Sequence, residues 1–93
     1  MTMANEQHPL TVVVLPHGWV FVGRRELRGD TVYLHDAHNV RRWGTNAGLG
    51  QLASEGPLAE TVLDPCPGGV DFHYLQELCR FACVEAAWKG KLA

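Results

Sequence analysis

The sequence predicts a mainly β domain, a small antiparallel SH3-like barrel of five or six strands with one short inserted helix. Three observations predict it. Short runs of β-branched and aromatic residues, Leu10–Leu15, Trp19–Val22 and Thr31–His35, alternate with clusters of Gly, Pro, Asp and Asn. Joined by these turns, the runs read as consecutive hairpins of an antiparallel meander. The first clear helical period appears only after Gly44, and it lasts a turn or two.

Each element follows from its residues. Leu10-Thr-Val-Val-Val-Leu15 is a strand that stops at Pro16-His17-Gly18. Trp19-Val-Phe-Val22 resumes at once and runs through Gly23 into Arg24 and Arg25. Alternation gives Trp19 and Phe21 one face and Val20 and Val22 the other, as in a strand covered on both sides. Arg28-Gly29-Asp30 is a hairpin turn, with a glycine free to take positive φ. Thr31–His35 forms the third strand, Asp36-Ala37-His38-Asn39 reads as a turn, and Val40–Trp43 as a short fourth strand.

In Asn46–Ala53, Leu49, Leu52 and Ala53 fall at i, i+3 and i+4, which predicts a short helix capped by Thr45 or Asn46 and ended by Gly56-Pro57. Glu60–Asp64 returns to strand character, and Cys66–Gly69 is a turn cluster. The C-terminal stretch supports two readings. Leu75, Leu78, Cys79, Ala82, Cys83 and Ala86 make a helical stripe, whereas period 2 makes Leu78–Val84 a closing strand. Strand is the favoured reading, because it would cover a sheet edge.

Composition bounds the function. Ninety-three residues make one domain, placed at 10–90 after a flexible leader at 1–9. A net charge of −2 gives no reason to expect nucleic-acid binding, which wants a basic face. The longest apolar run is too short to cross a bilayer, and the N-terminal residues lack a signal-peptide pattern, so the expected location is the cytoplasm. Cys66, Cys79 and Cys83 form an odd set without a C-x-x-C pair, and they are read as reduced thiols packed as small apolar residues.

The blocks Gly18-Trp-Val-Phe-Val-Gly23, Val40-Arg-Arg-Trp-Gly-Thr45, Gly48-Leu-Gly-Gln-Leu-Ala53, Thr61-Val-Leu-Asp-Pro-Cys66 and Glu85-Ala-Ala-Trp88 resemble a group of short bacteriophage and prophage proteins classed as a domain without assigned function. The resemblance covers nearly everything after the leader. It implies a phage-encoded, non-structural accessory protein in the host cytoplasm, and it supplies no catalytic residues.

Arg41, Arg42, Trp43, Thr45, Asn46 and Gly48 form the leading candidate ligand site. A helix start presents free N–H groups, an Arg adds a forked donor, and Trp43 offers a flat face, a set that suits a nucleotide or other phosphorylated small molecule. The competing reading pairs the arginines with Asp36, Asp64 or a neighbouring subunit and puts Trp43 in the core. Arg24, Arg25 and Arg28 mark a second candidate, an interaction edge at a hairpin tip.

His35-Asp36-Ala37-His38 invites a metal reading, but i and i+3 on a strand face opposite ways, so these histidines are read as solvated and no metal or cofactor is expected. No Gly-x-Ser-x-Gly, P-loop or His-Glu-x-x-His pattern is present, and the only serine, Ser54, has no evident base partner. The expected function is therefore a non-enzymatic accessory protein that binds and modulates a host protein. The alternative is an oligomer that sequesters a phosphorylated small molecule, and a nucleic-acid-binding barrel ranks third. Trp19, Trp43 and Trp88 exceed what so small a core readily hides, which predicts a homo-oligomer.

Overall fold

β1 (Leu10–Val14) is buried along nearly its whole length, as a β-branched run covered on both faces must be. A computed structural model describes residues 8–92 and gives the strand its neighbours. Residues 1–7, most of the expected leader, lie outside the described residues. A turn of 3-10 helix at Pro16–Gly18 leads into β2 (Val20–Arg28), and Gly29 at φ 60° closes the hairpin into β3 (Thr31–Arg42). β4 (Val62–Pro65), β5 (Val70–His73) and β6 (Cys79–Ala82) complete one antiparallel sheet of six strands, in the order β4-β3-β2-β1-β6, with β5 also on β3. The last strand thus returns beside the first, as in a small barrel, but no described strand closes the sheet between β6 and the far edge.

The expected turn at Asp36–Asn39 does not form, and the third and fourth strands are one strand of 12 residues. Asp36 takes φ 54°, which Asp tolerates, and the register on β2 shifts between Val22 and Arg24. The chain therefore bulges instead of reversing. Gly23 makes this fit, because a Cβ there would lie 3.0 Å from the His35 carbonyl oxygen and 3.2 Å from Ala37 Cα. Burial of Ala37 and His38 holds the strand in line. Long β3 then has room on its far side for two strands, β4 against His38–Arg42 and β5 against Thr31–Leu34. β5 was hidden behind the Gly68-Gly69 turn, although Val70 and Phe72 alternate with Asp71 and His73.

Two apolar clusters sit on opposite faces of the sheet. Leu10, Val12, Val20, Val22 and Val40 pack under α1 (Gly48–Glu55), through Leu49, Leu52 and Ala53, and under α2 (Glu85–Trp88), through Trp88. Val13, Val32, Leu34 and Ala37 form the other cluster, flanked by Phe21, Val70 and Phe72.

α1 begins two residues later than expected and carries no side-chain N-cap from Thr45 or Asn46. Instead the Gln51 side-chain oxygen Oε1 accepts the Asn46 and Ala47 N–H groups at 3.0 and 2.7 Å. That oxygen satisfies donors a capping hydroxyl would otherwise take.

The contested C-terminal stretch is strand from Cys79 to Ala82, then helix from Glu85. Tertiary pairing decides it. Leu78 N–H donates to Val14 O and Cys83 N–H to Leu10 O, which satisfies the outer edge of β1. Of the three tryptophans only Trp88 is buried, at 2% exposure, while Trp19 and Trp43 stay in solvent at 56% and 43%. The sequence-based expectation that Trp19 lies on a covered face is corrected: its ring stacks on Phe21 at 6.1 Å, out at the end of β2.

Candidate functional site

The Arg41–Gly48 segment runs off the end of β3 into α1. The side chains of Arg41 and Arg42 are each 65% exposed and each meet a carboxylate. Arg41 Nε donates to Asp64 Oδ2 at 2.7 Å, across the β3–β4 ladder, and that carboxylate raises the guanidinium pKa further. Arg42 lies 3.4 Å from Glu60. The pairing with Asp64 is thus present for Arg41, whereas Arg42 lies against Glu60 instead. Trp43 is exposed, with its carbonyl accepting the Thr61 hydroxyl at 2.6 Å. Gly44, at φ 71°, lets the chain turn, since a methyl group there would overlap the Thr61 and Glu60 backbone. Thr45 Oγ1 donates to Gly48 O at 2.7 Å. Asn46 donates its N–H to Gln51, as described above, so Gln51 occupies part of the helix end that a phosphate would use. The six residues follow one another along the chain, with Arg41, Arg42, Trp43 and Asn46 exposed and Thr45 and Gly48 half-buried.

Arg24, Arg25 and Arg28 do not share a face. Arg24 reaches Glu85 at 2.7 and 2.8 Å and also donates to the His8 carbonyl, tying the N-terminal segment and α2 to the sheet. Burial works against ionisation of Glu85, yet the Leu10 N–H and Arg24 hold its pKa below the usual carboxylate value. Arg25 points the other way into a forked pair with Glu77, whose side chain is only 5% exposed. Arg28 forks onto Glu26 and lies 4.4 Å over the Tyr33 ring. All three are structural ties as well as surface cations.

A cleft of about 560 Å³ opens between the bulge and α2, lined by Leu10, Arg24, Asp36, Glu85, Trp88 and Lys89 among others. Its ionic centre is the Arg24–Glu85 pair, which is internally neutralised.

Nucleophiles fare no better. Burial pushes the Cys83 thiol up to about 12, with Glu85 adding to the effect, so it stays protonated and inert. Cys66 and Cys83 flank different apolar clusters and do not converge. The Ser54 hydroxyl donates to Gly50 O at 2.9 Å on the helix surface. His38, read from sequence as solvated, is buried at 4% exposure; its Nδ1 lies 3.1 Å from Asp36 O and its Nε2 has no partner among the described residues.

The feature that sequence reasoning missed is the outer edge of β6. β6 pairs only with β1 among the described residues. Since Cys83 N–H faces β1, alternation turns the N–H and C=O groups of Arg80 and Ala82 outward. The backbone is also extended at Glu77 and Val84, on either side of the strand. Leu75, Leu78 and Val84 are exposed at 69%, 64% and 49%. The sequence carries no signal for it, because whether Cys79–Ala82 is an edge depends on the finished sheet.

No helix among the described residues is long and apolar enough to cross a membrane. Compared with known proteins, the chain matches no family model, no curated protein and no solved structure.

Proposed function

We propose that this domain is a non-enzymatic accessory protein that binds another protein by strand addition at β6; in the phage setting its sequence suggests, the partner is a host protein. The observation that carries this reading is the Arg80–Ala82 edge, which pairs with no second strand among the described residues and is flanked by exposed Leu75, Leu78 and Val84. An extended segment laid beside β6 takes the outward backbone groups, which supplies affinity, and the flanking apolar side chains supply selectivity. Burial holds the Cys83 thiol protonated and the ionic centre of the cleft is internally neutralised, and both favour binding over catalysis there. A second copy of the chain satisfies the same edge, so self-association belongs to this reading.

Ala82→Pro tests it. The substitution removes an outward N–H and no bond to β1, and prolines are tolerated at such edge positions. Affinity for a partner captured from bacterial lysate and then purified is expected to fall at least tenfold, with the melting temperature nearly unchanged. Equal affinity of the variant would refute strand addition at this edge.

A second reading, capture of a nucleotide or other phosphorylated small molecule, is favoured by one observation: Arg41, Arg42 and Trp43, successive along the chain, are all exposed. In that case Arg41→Ala and Arg42→Ala each weaken nucleotide binding in a calorimetric titration and barely change the melting temperature. Retention of nucleotide by the double variant removes this reading.

A further inference from the structure

Outside the β6 edge, β2 and β3 assemble a cluster that neither reading uses. Arg24 faces His35 and Glu26 faces Tyr33 across the ladder, so Glu26 and His35 are diagonal neighbours on one face. His35 Nε2 lies 2.8 Å from Glu26 Oε1. His8 is delivered to the same carboxylate from the N-terminal segment, held by Arg24 Nη1 on its carbonyl and by Arg25 N–H on Pro9 O. Its Nε2 stands 3.7 Å from Glu26 Oε1, and its ring stacks on His35 at 5.4 Å. The three ligand atoms lie within 4.8 Å of one another. Three convergent groups from three separate segments are what the local His35-Asp36-Ala37-His38 pattern lacked.

We propose that His8, Glu26 and His35 form a binding site for a zinc-type divalent cation. Bonds of about 2.0–2.1 Å set neighbouring ligand atoms roughly 3–3.5 Å apart, inside the range these atoms already span. Two imidazole nitrogens with one carboxylate oxygen select a borderline transition ion over calcium or magnesium, which take oxygen ligands. The side chains are 25%, 22% and 29% exposed, so a coordination position stays open to water or an external anion. The ion replaces the proton shared by His35 and Glu26. Arg28, 62% exposed and bonded to both Glu26 oxygens, becomes the outer partner of the carboxylate, and its charge opposes the ion.

Calorimetric titration of the untagged protein with zinc chloride near neutral pH tests the site. One ion per chain is expected. His8→Ala and His35→Ala should each weaken binding at least tenfold, and His17→Ala and His73→Ala should leave it unchanged. Arg28→Ala should tighten it, an effect of opposite sign. Zinc should also shift the imidazole ring resonances of His8 and His35 in the unsubstituted protein, a readout that does not depend on how a variant folds. The site is overturned if the unsubstituted protein shows no saturable binding, or if the ring shifts and the affinity losses fall on other histidines.

Discussion

Replacing Trp88 with alanine is expected to cost about 3–5 kcal/mol of unfolding free energy, the range for truncating a large buried aromatic side chain. Trp88 is 2% exposed and packs with Leu10, Val12 and Leu52 in the cluster beneath both helices. Its indole N–H donates to Ala53 O at 3.0 Å, a carbonyl that also accepts the Val84 N–H. The substitution therefore leaves a cavity and removes one of the two bonds joining α1 to the C-terminal segment. A domain of this size has only several kcal/mol to lose, so urea unfolding should show a largely unfolded variant or a much lower midpoint. Trp19→Ala is the matched control. That side chain is 56% exposed, and its loss should move the midpoint little.

Glu77→Ala should approach the same size. Glu77 receives both forks of Arg25 at 2.8 and 2.9 Å and a third bond from Arg80 at 3.1 Å. With 14% and 5% side-chain exposure, the Arg25–Glu77 pair is largely out of water. Removing the carboxylate strands a buried guanidinium, which costs about 3–5 kcal/mol in comparable pairs. The combined change Arg25→Met with Glu77→Leu should recover much of that loss, because two apolar side chains leave no uncompensated charge. Urea midpoints of the single and combined variants check both statements. Glu77 also sits directly before Leu78 and β6, so the pair fixes where the binding edge begins.

How much of this was legible in the sequence depends on whether the forces were local. β1, the Arg28-Gly29-Asp30 hairpin and the Leu49–Leu52–Ala53 face of α1 follow from residue types and periodicity, and the structure has them. The strand reading of Leu78–Val84 needed the architectural argument, since its composition suits a helix; over Cys79–Ala82 pairing with β1 prevailed over propensity. The bulge at Asp36 was not legible, because Asp-Ala-His-Asn reads as a turn until Gly23 is seen to admit the opposing backbone. β5 and α2 were missed, as each is 4 residues long and depends on distant partners.

Candidate sites show the same division. Arg41, Arg42 and Trp43 stand out as a motif, and only the structure shows that they are exposed, whereas the ion pairs of Arg24, Arg25 and Arg28 link residues up to 61 positions apart. The His8–Glu26–His35 cluster became visible only with the β2–β3 register and the path of the N-terminal segment. An open edge is a property of the finished sheet, so no residue pattern announces it.

The most direct measurement is amide hydrogen exchange at Arg80 and Ala82, with and without the purified partner. In the free domain both amides face outward and should exchange quickly, while Cys83, bonded to Leu10 O, is protected. Strand addition predicts slow exchange at Arg80 and Ala82 on binding. If both amides stay fast in the complex and protection appears elsewhere, β6 is not the binding edge.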